Sequence, residues 1–488
     1  MTTTRCVAMD LGSSSGRAIV ANYDGDRLTL TEVHRFDNRP YPDAETGYQI
    51  WNLDAVEAGM REGLEKARAS GPVDSVGVCT WGVDFALLDA ELRRIGPAVS
   101  YRDHRTDTIM DRVFEKMPAD EIYRRTGIHF QTYNTLYQLA ATQRDHPEWL
   151  EAARHLLLMP DYFHYRLSGE LSNEYTIATT TQLLDLESRD WDPALLALCG
   201  VRPGLMKTPV PAGTRIGWHR PDDGGDPIPV IAPGGHDTAS AVAAAPLGGA
   251  DEAFISSGTW SLMGVESARP FADETARRLN FGNEGGVAGR YRVLKNLMGL
   301  WIIQRLREEL GVASFGNLVA AAAAAEGWRT LINPDDRRFL NPPSMMEAIT
   351  GFCAEHGEPV PEGVGDFARC VFDSLALDYR RVKNELEELR GRPIKAIRII
   401  GGGSKNMLLN QLAADACQVA VSAGPVETSS LGNACVQMMA LGRFASLEEI
   451  RAVVRCSFEV TDYAPRQTVP ADVWQRFVAL SRHKRAVV

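Results

Sequence analysis

The chain contains no apolar run of the roughly 18 residues that a membrane-spanning helix needs. Its two most apolar small-residue stretches, 318–325 and 239–247, are short and rich in alanine, so no membrane partner is expected. Positive charge is scarce. There are 52 Lys and Arg against 63 Asp and Glu, a formal net charge of −11. An acidic chain is a poor partner for a phosphate backbone, and nucleic-acid binding is not expected. The eight cysteines (Cys6, Cys79, Cys199, Cys353, Cys370, Cys417, Cys435 and Cys456) form no CxxC and no metal spacing. Scattered in a large chain, they read as buried thiols. The 10 histidines show no HExxH or other ligand spacing, which argues against zinc. The opening MTTTRCVAMD puts Asp10 where a signal peptide would need an apolar core, so a cytoplasmic location is expected. No G-x-x-x-x-G-K-[ST] occurs, no G-x-G-x-x-G follows a strand with an acid about 20 residues on, and no solenoid repeat is visible.

What is present is an ordinary globular composition, 44% apolar and 24% charged over 488 residues. That length suits two large domains or three smaller ones. Strands are predicted at 5–10, 17–22 and 28–36, joined by polar turns, then a helix over 53–69 and a strand at 75–80. A strand at 156–159, a helix at 161–167, a strand at 227–232 and a small-residue helix at 236–245 follow. Pro246-Leu247-Gly248-Gly249 then breaks the pattern, dividing the chain into lobes 1–246 and 247–488. The second lobe opens the same way, with strands 252–257 and 260–266 around a small polar turn. Helices at 297–310 and 366–389, a strand at 396–400, a helix at 407–416, a strand at 419–422 and a helix at 429–440 complete it. The halves share a logic but not their letters.

Three turns carry the chemistry of anion binding. Residues 10–17, DLGSSSGR, flank a hydroxyl run with glycines, which lets backbone N–H groups converge on an anion while serines add donors. The same residues would also make a plain hairpin. Ser256-Ser257-Gly258-Thr259 offers similar donors from the second lobe. Gly401-Gly402-Gly403-Ser404 lies between a strand and a helix, whose N-terminus would face a ligand there. Asp10, at a strand end, is suited to a magnesium ion, directly or through water. His236-Asp237-Thr238 stands at a strand–loop–helix junction. Asp237 is either a helix N-cap or a carboxylate that takes a proton from an attacking hydroxyl. Trp81-Gly82-Val83-Asp84, the run Arg102-Asp103-His104-Arg105, Asn296 at a helix start and Gln304 on that helix are further polar candidates. Each could equally be a cap, an ion pair or core. Trp260 and Trp301 read as packing residues.

The 10–17 turn, GGHDTASAV at 234–242, SSGTWSLMG at 256–264 and GGGSKN at 401–406 together resemble the FGGY family of carbohydrate kinases. Longer stretches extend the likeness over nearly the whole chain. They are TWGVDFALLD at 80–89, MPDYFHYRLSG at 159–169, NEYTIATTTQL at 173–183, NEGGVAGRYRVLKNLMGLWIIQR at 283–305 and GPVETSSLGN at 424–433. Within the family they are most similar to the members acting on L-rhamnulose. The resemblance implies an α/β, two-lobed actin-like ATPase fold of ribonuclease-H-like units with a central interdomain cleft. It implies ATP-dependent phosphorylation of the C1 hydroxyl, with Mg2+, in L-rhamnose degradation; a monomer is expected, though the sequence itself does not give the oligomeric state. Carried over by motif, Asp237 is the proton acceptor, and Gly82, His236, Asp237, Thr238 and Asn296 line the sugar. Ser13, Ser14, Ser15, Gly16, Arg17, Thr259, Gln304 and Gly402 touch ATP, Asp10 neighbours the metal, and Cys353 and Cys370 are a disulfide candidate. Gly235 before His236 departs from the residue common there. Rival readings are a kinase for fuculose, xylulose or glycerol, a non-kinase actin-like ATPase, and a sugar-sensing module.

Overall fold

The structure is a computed structural model that describes residues 3–482. Two compact units emerge. The first comprises Met1–Pro246, Glu266–Val293 and Thr428–Ser457; the second comprises Leu247–Val265, Leu294–Glu427 and Phe458–Val488. The chain leaves the first unit after residue 246 and returns to it twice, so residues 247–488 are not one continuous unit.

The first unit is built on a six-stranded sheet. Its order is Leu28–Asp37, Ser15–Tyr23, Thr4–Leu11, Ser75–Thr80, Ile228–Ile231, Arg215–His219. Thr4–Leu11 pairs antiparallel with Ser15–Tyr23 and parallel with Ser75–Thr80, which pairs parallel with Ile228–Ile231. Thr4–Leu11 and Ser75–Thr80 are buried almost throughout, as expected of parallel strands covered on both faces. One cover is the helix Leu53–Ala69. Asn52 caps it by accepting from Ala55 N, and Leu53, Val56, Met60, Leu64 and Ala67 form its buried stripe. That i, i+3/i+4 spacing is the apolar face of a 3.6-residue helix. Another cover is the pair of helices Asp237–Ala244 and Thr428–Ala440. A Cβ at Gly432 would overlap the carbonyl oxygen of Ser240, so only glycine permits this approach.

The second unit repeats the scheme. Glu252–Ser257 pairs antiparallel with Trp260–Ser267 and parallel with Ala396–Ile400; that strand pairs parallel with Ala420–Ala423, whose other neighbour, Thr461–Tyr463, is antiparallel. The two sheets therefore share an antiparallel–parallel–parallel–antiparallel sequence of pairings. The 27-residue helix Val364–Arg390 packs in this unit. Among the described residues no helix is long and apolar enough to cross a membrane.

Candidate active site

In the first unit three parallel strands end side by side, and their following loops hold most of the candidate residues. This is where open α/β sheets place ligands. The turn after Thr4–Leu11 is closed by Gly12 N donating to Ser15 O at 3.0 Å, and Asn38 Nδ2 donates to Gly12 O at 2.7 Å. Arg102 Nη2 donates to Ser13 Oγ at 3.2 Å. Ser14 is exposed, Gly16 is buried, and Ser13, Ser15 and Arg17 lie between. Asp10 is buried, its Oδ2 accepting from Arg17 Nη2 at 3.0 Å and from Ser430 Oγ at 2.9 Å.

The loop after Ser75–Thr80 carries one buried carboxylate and a strained backbone. Asp84 is buried and accepts from Trp51 Nε1 at 2.7 Å, Gln138 Nε2 at 2.8 Å, Trp81 Nε1 at 2.9 Å and Tyr101 N at 3.1 Å. Burial raises its pKa to about 6 against the pull of those four donors, because the charged form is the one that low dielectric disfavours. Val83 has φ +68°, a left-handed conformation that a β-branched residue rarely adopts. Thr180 Oγ1 accepts from its N–H at 3.2 Å, and its carbonyl accepts from Thr135 Oγ1 at 2.6 Å. The strain is held from both sides and turns Gly82 toward His236: a Cβ on Gly82 would lie 3.5 Å from His236 Nε2.

The loop after Ile228–Ile231 is tied to the previous strand, Thr80 N donating to Gly235 O at 2.9 Å. Glu174 Oε2 accepts from Gly235 N at 3.0 Å, and Thr176 Oγ1 accepts from His236 N at 3.3 Å. His236, not Asp237, occupies the N-cap position of the helix Asp237–Ala244, without a side-chain cap bond. Asp237 is therefore free of the capping role open to it in sequence. Its side chain is 30% exposed, with Nε2 of His236 at 3.5 Å from Oδ1 and Thr238 Oγ1 donating to Oδ1 at 3.1 Å. Burial raises the Asp237 pKa, opposed by His236 and Thr238.

Behind His236 lies a buried ion pair, Glu284 and Arg292. His236 Nδ1 is 3.0 Å from Glu284 Oε2, Arg292 Nη2 is 2.9 Å from the same oxygen, and Arg292 Nε donates to Gly285 O at 2.9 Å. Burial pushes the Glu284 carboxyl up, but Arg292 and His236 outweigh it and hold the pKa at about 2. A buried charge needs such a partner.

In the second unit, Thr259 and Gly402 follow the parallel strands Glu252–Ser257 and Ala396–Ile400. Trp301 N donates to Thr259 O at 3.1 Å and Leu300 N to Gly258 O at 3.1 Å, which seats the helix Trp301–Glu309 on the Thr259 turn. Gln304 lies one turn along it, its N donating to Leu300 O. A Cβ at Gly403 would overlap Ser257 Oγ, whereas one at the exposed Gly402 would meet nothing within 4 Å. Thr259, Gln304 and Gly402 thus gather at one end of this sheet. Residues 402–405 form a short 3-10 turn, and the helix begins only at Met407, where Asn406 accepts from Leu409 N. The glycine run therefore does not open directly into that helix.

Two expectations need correction. Asn296 does not start a helix. It lies within the strand Tyr291–Met298, and the helix starts at Trp301 because Gly299 packs against the Trp260 backbone and breaks the strand. Cys353 and Cys370 are free, buried thiols rather than a disulfide. Burial raises Cys353 to about 11, and burial together with the neighbouring Cys353 raises Cys370 well above its ordinary value. Trp260 and Trp301 are both half-buried, and Arg305 stacks over Trp301 with 5.5 Å to the ring centroid.

Residue-by-residue reading misses Glu284, Arg292, Glu174 and Ser430. Glu284 and Arg292 lie in the 283–305 stretch, Glu174 in 173–183 and Ser430 in 424–433, so the available signal is a polar residue inside a family-like run. No spacing rule pairs Glu284 with His236.

Comparison with known proteins fits this arrangement. Residues 5–244 match the N-terminal domain, and residues 253–441 the C-terminal domain, of the FGGY family of carbohydrate kinases. The chain belongs to that family. Curated relatives of this FGGY chain include a rhamnulokinase of Yersinia pestis (strain Pestoides F), 49% identical over 481 residues, 98% of each chain. Another is a rhamnulokinase of Pectobacterium carotovorum subsp. carotovorum (strain PC1), 49% identical over 491 residues, 100% of this chain and 98% of that one. Among solved structures, a ligand-bound xylulose kinase from Lactobacillus acidophilus superposes with a TM-score of 0.79 at 16% identity, covering 98% of this chain and 96% of its own. The fold is the two-domain, actin-like ATPase fold of these sugar kinases.

Proposed function

We propose that this FGGY kinase transfers the γ-phosphoryl group of ATP to the C1 hydroxyl of L-rhamnulose, in L-rhamnose degradation in the cytoplasm. The 49% identity to rhamnulokinases over nearly the full length supports the substrate. One observation carries the mechanism. Asp237 is a carboxylate at the strand ends that caps no helix through its side chain, takes its donors from Thr238, and stays 30% exposed, where Asp10 is buried. Its raised pKa makes it a stronger base than an ordinary aspartate, and a base is most effective when its pKa approaches the working pH.

Asp237 orients the C1 hydroxyl and takes its proton as the oxygen attacks the γ-phosphorus and ADP departs. Gly82, His236, Thr238 and Asn296 line the sugar. Ser13, Ser14, Ser15, Gly16, Arg17, Thr259, Gln304 and Gly402 hold ATP. Among the described residues no three His, Cys, Asp or Glu side chains gather as a metal cage. A single carboxylate, Asp10, fits an ion that keeps water and phosphate as most of its ligands. Magnesium bound beside Asp10 would neutralise charge on the phosphates.

The test is an ADP-release assay on L-rhamnulose, L-fuculose, D-xylulose and glycerol. The highest kcat/KM is expected on L-rhamnulose. A higher value on another acceptor overturns the substrate, and ATP turnover indifferent to sugar overturns the kinase reading.

A further inference from the structure

The pair Glu284–Arg292 has a geometry that a merely structural ion pair would not require. Glu284 Oε2 receives two neighbours, Arg292 Nη2 at 2.9 Å and His236 Nδ1 at 3.0 Å. An ionised carboxylate only accepts hydrogen bonds. The 3.0 Å contact therefore puts a hydrogen on Nδ1. Arg292 Nη2, which has two hydrogens, also stands 3.3 Å from Nδ1, but that contact is longer than the 2.9 Å one Nη2 makes to Glu284 and the 3.0 Å one Nδ1 makes to Glu284, and hydrogen bonds to an ionised acceptor are the stronger ones, so the Nδ1 position goes to the carboxylate. On the far side of the ring, Nε2 faces Asp237 Oδ1 at 3.5 Å and Gly82, where a Cβ would lie 3.5 Å from it.

We infer that Glu284 is a positioning residue for phosphoryl transfer: it holds the hydrogen of His236 on Nδ1, so that Nε2 meets the sugar as a bare acceptor and leaves Asp237 unencumbered. The inference rests on the reading of Asp237 as the base. Which ring nitrogen of a histidine carries its proton is set by the bond made on the other side of the ring. With Nδ1 committed to Glu284, a neutral ring would accept a sugar hydroxyl at Nε2. A second proton would go to Nε2, which then donates to Asp237 and blunts it as a base. The proton leaving the C1 hydroxyl still ends on Asp237, so the balance of the transfer is unchanged. The charged groups bearing on the pair from neighbouring elements are Asp10 toward Asp237, Glu174 toward Arg292 and His129 toward Glu284.

Glu284→Gln reverses the bond: the new amide can donate to Nδ1 and drive the hydrogen to Nε2, where it engages Asp237. A sugar-dependent kcat lower by about 10–100-fold, the usual scale for losing an orienting partner, is expected with the KM for ATP unchanged. The decisive readout is the tautomer. In full-length protein labelled with 15N-histidine, long-range 1H–15N spectra assign His236 by its loss in His236→Gln. The hydrogen is expected on Nδ1 in the wild type and on Nε2 in Glu284→Gln. A wild-type ring carrying its hydrogen on Nε2 overturns the proposal, and that measurement needs no folded variant. An unchanged tautomer in folded Glu284→Gln, or wild-type kcat in it, also overturns it. Wild-type protein that phosphorylates no sugar would instead strike the role of Asp237, leaving the tautomer result to stand on its own.

Discussion

Asp84 and Asp237 sit in neighbouring loops at the ends of adjacent parallel strands, and they have opposite surroundings. Asp84 is buried beneath four donors, two of them tryptophan indoles. Asp237 has only the hydroxyl and the backbone N–H of Thr238 as donors and remains 30% exposed. A carboxylate saturated by its own protein is architecture. One left partly open is available to a ligand. The sequence marks both as acids following a strand, and only the census of donors separates them.

The sharpest way to break that contrast is to neutralise each in turn. Asp237→Asn is expected to lower kcat by about 10²–10⁴, the range for losing a general base, while ATP binding by titration and the melting temperature stay close to wild type. Near-normal turnover would remove Asp237 from the role. Asp84→Leu should do the reverse. It strands four buried donors and should cost about 3 kcal/mol or more in denaturant unfolding. Unaltered stability would mean the Asp84 cluster carries no structural weight. Asp84 also signs a pH effect. Its pKa rises from 3.8 to about 6 on folding, so the native state holds the proton more tightly. Its contribution to stability is full below 3.8 and is lost as pH climbs to about 6, a slope that Asp84→Asn should remove.

Smaller changes sharpen the comparison. Gly432→Ala would drive a methyl into the Ser240 carbonyl, in the helix that begins at Asp237. Overpacking of this kind should cost about 1–3 kcal/mol in unfolding and lower kcat by displacing the Asp237 loop. If stability and kcat both hold, the close approach of the two helices is not needed. Thr238→Val removes the hydroxyl donor that lowers the Asp237 pKa. The acid limb of kcat/KM should move to higher pH, with plateau kcat lowered by about tenfold, the low end for one hydrogen bond to a charged group. A limb that stays in place would separate Thr238 from the titration of Asp237.

Much of this is legible in the sequence, for reasons that differ by element. The strands at 75–80 and 252–257 and the helix at 53–69 are bounded by turn or cap residues and show their period within their own span, and the structure gives them the same limits. Asn296 is misplaced by sequence because Leu297, Met298 and Leu300 run on with the apolar residues of the next helix. Only the packing of Gly299 on a distant backbone shows where the strand stops. Glu284 is invisible for a related reason. Its partner lies 48 positions away, and no periodic pattern relates a strand residue to a loop histidine across such a gap.

The helix Thr428–Ala440 belongs to the first unit, where Ser430 reaches Asp10, Asn433 reaches the Met9 and Gly77 carbonyls, and Gln437 bonds Val7 O and Ser75. A ribosome reads from the amino end, so the earliest sheet to leave the exit tunnel must wait for one of its covering helices until residues 428–440 have been translated. Severing the gene after codon 246 would accordingly yield a fragment with buried carbonyls laid bare, and supplying 428–457 as a separate peptide would cover those carbonyls again while leaving out the unit's third segment, 266–293.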